Sequence, residues 1–378
     1  MPGDIPLSVL DLAPIIDGSD ATTSIKRSVQ LAKQVESLGY KRFWLAEHHF
    51  VAVASSSTTT LIALVAAATE RIRVGSAAIQ IGLHTPSSVV EAFGTIDALH
   101  PGRLDLGLGR SAQRRTDFTR SVGARDAATT SRGEPQPDQI VDGLLIPEPF
   151  PVEKLYIAPR LAAGFDAAQF AGAQPPDFAD AVDDIQSLLG GSFAVDDVTL
   201  EAVPGAGADV QVWIFGSSKG QSAQVAGARG LPFVANYHVS PATVLEAVEA
   251  YRSAFVPSAA LSRPYLVVSA DVVVAQDDQT AQHRASTYGH WVHSIRSGAG
   301  AAPYLDPDTA DPLDDEKQKL VLDRTRTQFV GAPDVVADRL RTLARVTGAD
   351  ELVITSVTHD FDHRLSSHEL LAREWGLS

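Results

Sequence analysis

The sequence predicts an α/β fold: a (β/α)₈ TIM barrel with a long insertion after its fourth strand. Three observations support this prediction. Apolar runs alternate with segments of helical periodicity, the runs number eight, and each run is apolar at most of its positions. Such strands are typical of parallel sheets covered by helices, and eight strand–helix units fit a closed barrel better than an open sheet. We therefore expect one barrel domain over residues 1–378.

The predicted elements follow each other in a regular order along the chain. Most predicted helices lie between a polar or proline-containing start and a glycine or polar stretch, which are the usual boundary signals. The predicted strands are 5–10, 42–46, 72–77, 104–108, 210–215, 233–236, 265–274 and 352–355. The predicted helices are 25–39, 57–68, 86–99, one ending near 229, 241–255, 278–295 and one near the C-terminus.

Two stretches interrupt this order. Residues 111–176 are rich in Pro, Gly and Asp around the apolar centre LLIPEPFPVEKLYIAPRL, and loops of this length are usually functional or disordered. Because the insertion follows the fourth strand, it should emerge on the catalytic face of the barrel, as a lid, a dimer arm or a surface excursion. Residues 297–319 contain DPDTADPLDDEKQ, which lacks the spacing of a calcium loop and indicates a solvated linker.

Composition excludes several classes of function. The chain has 46 acidic and 31 basic residues, a formal net charge of −15, so it has no basic surface for general nucleic-acid binding. Cysteine is absent, which excludes disulfides, thiolate metal sites and cysteine nucleophiles. The start has no basic residue before its apolar stretch, and the longest apolar run is too short for a membrane span. A cytoplasmic protein is the simplest expectation.

The candidate chemical groups follow the ends of the predicted strands, where barrel enzymes assemble their sites. GSSKGQSA after the fifth strand combines Gly216, Ser217, Ser218 and Ser222 with the start of a helix, which is a suitable place for an anion. Arg110, at the end of the fourth strand, would add a guanidinium fork suited to a phosphate. A plain N-cap is the alternative interpretation of the serines.

Histidines form the second group of candidates. His48 and His49 follow Glu47 after the second strand, and His238 follows the sixth. Adjacent side chains on an extended segment point in opposite directions, so a shared metal ion is disfavoured and we predict no metal site. A histidine at a strand end serves either a structural or an acid–base role. The GLG before Arg110 is not a dinucleotide fingerprint, because its third glycine and helix spacing are missing.

Taken together, the motifs resemble those of the bacterial luciferase-like flavin-dependent monooxygenases. The resemblance extends over about three-quarters of the chain, in an order and spacing that are more specific than any one string. The matching segments are FWLAEHH, RIRVGSAAI, PSSVVEAFGTIDALHPGRLDLGLGR, WIFGSS followed by SA, GLPFVANYHVSP and VGAPDVVADRLRTLARVTGADELVITSVTHD.

The resemblance implies a (β/α)₈ barrel that binds FMN, commonly as a homodimer, with a separate flavin reductase and O₂ as co-substrate. The implied reaction oxygenates a small organic substrate through a flavin hydroperoxide, which requires that water be excluded. A non-proline cis peptide beside the flavin ring would fall at Ala77 and Ala78. Glu91 matches a position that helps to order the flavin site.

The remaining implied roles concern the phosphate and the proton. Arg110, Ser217, Ser218 and Ser222 would hold the phosphate. His48 matches the catalytic histidine, and the adjacent His49 is a further catalytic candidate.

Two segments depart from the family pattern. SAQRRTD follows Arg110, so Arg114 or Arg115 could contribute to the phosphate side. One extra residue in the serine loop leaves Ser218 and Lys219 as alternatives for the same position.

Three other interpretations stay open. A deazaflavin-dependent hydride-transfer enzyme of the same superfamily is compatible with Glu47 and His48 beside Trp44. A flavin-binding protein without catalysis would keep the phosphate site, although the EHH motif argues mildly against it. A metal-dependent hydrolase is disfavoured, because Leu10, Asp11 and Leu12 stand where an H-x-H motif would be expected.

Overall fold

The computed structural model describes residues 5–110, 137–151, 155, 158–170 and 172–377 and contains the predicted closed barrel. Eight parallel strands form a ring in which each strand pairs with both neighbours and the eighth returns to the first, with Leu352 opposite Leu7. The strands are β1 (Leu7–Asp11), β2 (Arg42–Leu45), β3 (Arg73–Ser76), β4 (Leu104–Gly109), β5 (Val210–Gly216), β6 (Phe233–Ala235), β7 (Leu266–Val274) and β8 (Glu351–Thr355).

Helices cover the outside of this ring. They are α1 (Ala21–Ser37), α2 (Thr58–Ala68), α3 (Pro86–Asp97), α4 (Pro159–Ala167), α5 (Phe178–Leu189), α6 (Gln221–Ala228), α7 (Val244–Ala254), α8 (Asp278–Ala285), α9 (Tyr288–Arg296), α10 (Asp315–Thr327), α11 (Pro333–Thr347) and α12 (Phe361–Trp375). The single helix predicted over 278–295 is two helices, α8 and α9. The Thr287 hydroxyl between them donates to the Leu305 carbonyl oxygen (3.0 Å).

Short polar side chains start many of these helices. In each case a side-chain oxygen of the residue before the helix accepts a hydrogen bond from a backbone N–H of the first turn, which otherwise has no partner. The capping residues are Asp20, Thr85, Asp177, Asp277, Asp314 and Asp360. Among the helices of the described ranges, none combines the length and the apolar character that a membrane span requires.

Several short elements decorate the barrel. Strand Ile79–Gln80 and a 3₁₀ turn, Ile81–Leu83, follow β3, and Pro241–Thr243 is a second 3₁₀ turn before α7. Strand Phe329–Gly331 pairs with the end of β7. Two hairpins join Gln139–Val141 to Leu144–Ile146 and Ala194–Val195 to Val198–Thr199.

The described part of the predicted insertion, which includes the first hairpin and α4, packs against the loops and outer helices of the barrel. Asp138 forms an ion pair with Arg326 of α10, and the Asp142 carbonyl oxygen accepts from Arg345 of α11 (2.8 Å). Gln169, just after α4, donates to the Gly82 carbonyl oxygen (3.0 Å). The predicted linker at 297–319 is shorter than expected, because α10 already begins at Asp315.

The inside of the barrel is closed at the N-terminal ends of the strands by buried charges. Asp105 on β4 accepts hydrogen bonds from Arg42 Nη1 (2.8 Å), Trp44 Nε1 (2.9 Å) and Arg73 Nε (2.8 Å). Glu351 on β8 accepts from Arg42 Nε (3.1 Å) and from the Tyr265 hydroxyl (2.8 Å). Buried charges are tolerated when they are paired in this way, so we refer to these groups as the basal ion-pair network.

Aromatic side chains fill the barrel above this network. The rings of Trp44 and Trp213 lie 5.1 Å apart, and those of Trp44 and Phe215 lie 5.4 Å apart. Gly107 on β4 makes room for them, since a Cβ there would lie 2.5 Å from the Phe215 ring and 2.0 Å from the Ser76 carbonyl oxygen. The GLG sequence therefore serves packing inside the barrel.

Candidate active site

A cavity of about 430 Å³ opens at the C-terminal end of the barrel. Its floor and walls come from the loops after β1 to β6, and part of its rim comes from α4 and the residues next to it. This volume lies within the range typical of sites for small molecules and cofactors. Most of the predicted site residues line it: His48, His49, Ala77, Ala78, Arg110, Gly216, Ser217, Ser218, Ser222 and His238.

Glu91, which the resemblance assigned to ordering the flavin site, does not line this cavity. Its side chain lies on the exposed face of α3. The buried face of this helix is formed by Val89, Val90, Phe93, Gly94 and Ile96, and Glu91 falls outside that apolar stripe. The described carboxylate at the rim is Glu47 instead.

One end of the cavity is suited to an anion. Ser217 and Ser218 lie between β5 and α6, and Ser222 lies in the first turn of α6. A Cβ on Gly220 would lie 3.8 Å from Arg110 Nη1, so the guanidinium of Arg110 lies beside this turn. Hydroxyl groups, a helix N-terminus and a guanidinium together form a phosphate-sized cradle.

The two alternatives for the serine loop, Ser218 and Lys219, lie in different surroundings. Lys219 is exposed and pairs with Glu246 (3.2 Å), whereas Ser218 lines the cavity. Arg114 and Arg115 lie outside the described residues. Hydrogen bonds from Gln221 and then from the backbone N–H groups of Ala179 and Asp180 lower the pKa of Asp177 beside α6, and the charge of Arg110 adds a smaller effect.

A short stretch of backbone forms another wall. The Ala77–Ala78 peptide bond is cis, as the resemblance implied. A Cβ on Gly109 of β4 would lie 3.3 Å from the Cβ of Ala78, so β4 packs closely against this bond. With two methyl groups as its side chains, the wall leaves space for a flat ring system.

Glu47 holds three neighbours together at the rim. Its Oε1 accepts from Nε2–H of His49 (2.8 Å) and of His84 (2.7 Å), and its Oε2 accepts from the backbone N–H of Gln80 (2.8 Å). Gln80 Nε2 returns a hydrogen bond to the Glu47 carbonyl oxygen (3.0 Å). Glu47 therefore connects the end of β2 to the strand that follows the Ala77–Ala78 bond.

His84 is a site residue that sequence reasoning missed. It lies 37 positions after Glu47, and no motif joins the two. Burial alone would raise the pKa of Glu47, but the hydrogen bonds from His49 and His84 outweigh it and lower that pKa. The same hydrogen bond raises the pKa of His84 against the effect of burial, so Glu47 favours the imidazolium form of His84.

Replacement of Glu47 by Gln is expected to lower the pKa of His84, which Glu47 holds above the ordinary 6.5. NMR titration of the histidine rings would measure this change, with the exposed Glu70→Gln variant as the control. Because the folded-state pKa is raised, the stabilisation from His84 is fully present below pH 6.5 and is lost as the pH rises through the raised pKa. An unchanged His84 pKa in Glu47→Gln would contradict this pairing.

Burial is the main cause that lowers the pKa values of His48 and His238. Burial lowers the pKa of His48; the charge of Glu47 opposes this effect and that of His49 adds to it. Burial, followed by the charges of Arg324 and His48, lowers the pKa of His238 to about 3. His238 Nδ1 also shares a hydrogen bond with the Ser269 hydroxyl (2.5 Å). Both rings are therefore neutral at pH 7, and His48 can accept a proton inside the cavity.

The rim on the side of α4 is largely apolar. Leu155, Leu161 and Phe165 line the cavity there, together with Arg160. The Arg160 guanidinium donates to the Phe50 carbonyl oxygen (3.2 Å), which ties α4 to the loop after β2. Within the described ranges, no group of three or more His, Cys, Asp or Glu side chains is placed to hold a metal ion.

Comparisons with known proteins point in the same direction as the geometry. Residues 6–132 and 172–351 match the model of a family described as luciferase-like monooxygenase. The protein YvbT of Bacillus subtilis is 33% identical over 98% of this chain and 97% of its own length. A luciferase-like monooxygenase of Escherichia coli K12 is 32% identical over 97% of this chain and 96% of its own length.

Solved structures share the barrel over almost its full length. Apo-MsnO8 superposes with a TM-score of 0.75 at 28% identity, covering 99% of this chain and 98% of its own. The oxygenating constituent of 3,6-diketocamphane monooxygenase, solved with FMN, has a TM-score of 0.59 at 17% identity, covering 98% and 97%. An F420-dependent secondary alcohol dehydrogenase has a TM-score of 0.58 at 12% identity, covering 98% and 99%. The last two likenesses concern the fold alone.

Proposed function

The chain belongs to the luciferase-like monooxygenase family, and from this premise we propose that it uses reduced FMN and O₂ to oxygenate a small organic substrate. One observation carries the proposal. A single cavity joins a phosphate-sized cradle, a wall of two alanines and a neutral histidine, which are the parts that a flavin oxygenase needs. The monooxygenases of this family support the assignment of the protein as an oxidoreductase, and the lining of the cavity supports FMN as its cofactor.

The described residues fit FMN from its phosphate to its ring. Arg110, Ser217, Ser218 and Ser222 would hold the phosphate at the start of α6. The Ala77–Ala78 wall would support the ring system, with Gly109 packed behind it. Glu47 would keep this wall in register with β2 through Gln80. Hydrogen bonds such as those between Glu47 and Gln80 would hold the site in place before the cofactor binds, which would favour catalysis.

Reduced FMN, when bound, supplies the electrons with which one oxygen atom of O₂ enters the substrate and the other leaves as water. His48 would accept or return the proton that this exchange requires, since its ring is neutral and lies in the cavity. Leu155, Leu161 and Phe165 would exclude water from the reacting atoms. We propose that the described part of the insertion predicted over residues 111–176, which carries these three side chains, acts as a lid on the same domain.

The position of Trp44 favours the FMN-dependent oxygenase over the deazaflavin-dependent alternative. The deazaflavin alternative was compatible with a tryptophan beside Glu47 and His48 at the site. In the structure, Trp44 is fully buried inside the barrel, does not line the cavity, and donates its Nε1–H to Asp105. Its position favours FMN and a structural role for the indole. We also propose that a separate reductase delivers the reduced FMN and that the protein forms a homodimer.

Substitution of Arg110 by Ala is expected to weaken FMN binding by about 10- to 100-fold, because the phosphate loses a charge-assisted hydrogen bond. Anaerobic titration with reduced FMN, read by the change in flavin fluorescence, would measure the dissociation constant. Arg263→Ala is the matched control, since Arg263 is exposed and pairs with Asp350 away from the cavity.

The same titration tests the rival functions. Tight uptake of a reduced deazaflavin, without a response to reduced FMN, would favour hydride transfer over oxygenation. FMN binding without oxygen consumption above the uncoupled background, whichever organic compound is added, would favour storage. Equal FMN affinity in Arg110→Ala and wild type would refute the assigned phosphate cradle.

A further inference from the structure

A second arginine, Arg160, lines the cavity and contacts other loops than Arg110 does. Arg110 lies beside Gly220, next to β4 and β5. Arg160 comes from α4, donates to the Phe50 carbonyl oxygen in the loop after β2, and lies near Gly300, where a Cβ would be 3.9 Å from its Nε. The two arginines therefore lie beside different loops of the barrel rim.

The surroundings of Arg160 leave its charge available. Among the described residues that line the cavity, Glu47 is the one carboxylate, and His49, His84 and Gln80 already occupy its oxygens. Within the described ranges, the hydrogen bond to Phe50 is the one that Arg160 makes, and no carboxylate pairs with it. A guanidinium carries several further N–H donors, which match the two oxygens of a carboxylate.

Apolar side chains lie on the side of the cavity from which Arg160 projects. Leu155, Leu161 and Phe165, on or next to α4, line the cavity, as do Leu10 and Leu12 at the end of β1. An apolar ligand body would be buried against these side chains, while a charged end would remain at the guanidinium.

We propose that Arg160 binds an anionic group of the substrate, so that the enzyme prefers small organic acids with an apolar body and a terminal carboxylate. This inference rests on the proposed oxygenase function and names its substrate class. Arg160 acts as a specificity-determining residue: α4 would close on a ligand whose carboxylate pairs with Arg160 and whose body contacts Leu161 and Phe165.

A structural role for Arg160 is the competing explanation, because its hydrogen bond to Phe50 could simply fasten α4 to the barrel. The two roles differ in their dependence on ligand charge. If Arg160 only holds α4 against the barrel, its loss would weaken the binding of acids and of neutral analogues equally. If Arg160 binds an anion, its loss would weaken the binding of acids selectively, and Arg160→Lys would retain part of the preference for acids over neutral analogues.

Binding of unreactive probes to the FMN-loaded protein tests the proposal. Isothermal titration calorimetry would compare straight-chain carboxylates from butanoate to dodecanoate with the amides of the same length. We expect the wild type to bind the best carboxylate at least about 10-fold more tightly than its amide. Arg160→Gln should remove this preference by weakening the carboxylate alone, and Arg160→Lys should retain part of it. Alkane sulfonates of equal length show whether a carboxylate is specifically required.

Separate readouts distinguish failure of this proposal from failure of the proposed function. FMN affinity is measured for every variant, and Arg71→Gln removes an exposed arginine at the opposite end of β3 as the control. Equal binding of acids and amides, or no binding of any probe, by a wild type that takes up FMN would overturn the role of Arg160 alone. A wild type that does not bind FMN would overturn both. Parallel losses for acid and amide in Arg160→Gln would assign Arg160 to fastening α4.

Discussion

Substitution of His48 by Ala is expected to lower kcat/KM by about 10²- to 10⁴-fold, the usual contribution of a general acid–base group. FMN affinity should change little, because the phosphate contacts assigned to Arg110, Ser217, Ser218 and Ser222 do not involve His48. Burial lowers the pKa of His48, so the neutral base should persist below pH 6.5. The acid limb of the wild-type kcat/KM profile should therefore lie below pH 6.5 and be absent from the variant.

Stopped-flow mixing of the protein, anaerobic reduced FMN and oxygen, followed by product analysis, would measure this loss. His283→Ala is a suitable control, because His283 is exposed, pairs with Asp308 and does not line the cavity. If turnover and its pH profile are the same in His48→Ala as in wild type, His48 has no part in proton transfer. His238 is then the neighbouring candidate, although a base with a pKa of about 3 accepts protons weakly near neutral pH.

Substitution of Asp105 by Ala is expected to reduce the free energy of unfolding by about 3–5 kcal/mol, because it leaves buried charges without their partner. Arg42, Trp44 and Arg73 each donate to this carboxylate, and Asp105 is fully buried. Their N–H groups would stay inside the barrel, where water cannot replace the lost acceptor. The basal ion-pair network would thus lose its central acceptor.

Urea unfolding followed by circular dichroism would measure the change. Asp183→Ala removes a carboxylate from an exposed pair with Arg229 (2.6 Å) and should cost less than about 1 kcal/mol. Asp105→Asn keeps the side-chain volume and one acceptor oxygen, so its loss in free energy of unfolding should lie between those of the other two variants. This loss can be measured even if Asp105→Ala does not fold. A loss in Asp105→Ala no larger than that in Asp183→Ala would show that the network does not stabilise the barrel.

Most of the barrel could be predicted because its strands are short and largely apolar and most of them alternate with segments of helical periodicity. Helices α4, α5, α10 and α11 were not predicted, and they lie where the simple strand–helix alternation is interrupted. α4 lies within the predicted insertion. α5 follows the insertion, and α10 and α11 both lie between β7 and β8. α10 carries few apolar residues and begins in the acidic stretch that suggested a linker, so its pattern resembled a solvated loop.

The site could be predicted where its residues follow strand ends. His48, Ala77, Ala78, Arg110 and the serines lie at such positions, and the barrel brings them to one cavity. Glu91 was placed by resemblance, and the helical phase of α3 turns it outward. The partners of Glu47 and the role of Arg160 depend on contacts between segments far apart in the chain. No local pattern encodes such contacts.

The attachment of α4 has a consequence for how this enzyme can diverge. Arg160 and Gln169 reach main-chain carbonyl oxygens, those of Phe50 and Gly82, and not side chains. Every amino acid supplies that acceptor, so mutation at positions 50 and 82 leaves the anchor points in place. Evolution, or a laboratory selection, can therefore change the α4 side chains that contact new compounds. The carbonyl oxygens to which α4 and its neighbouring residues are hydrogen-bonded would stay in place.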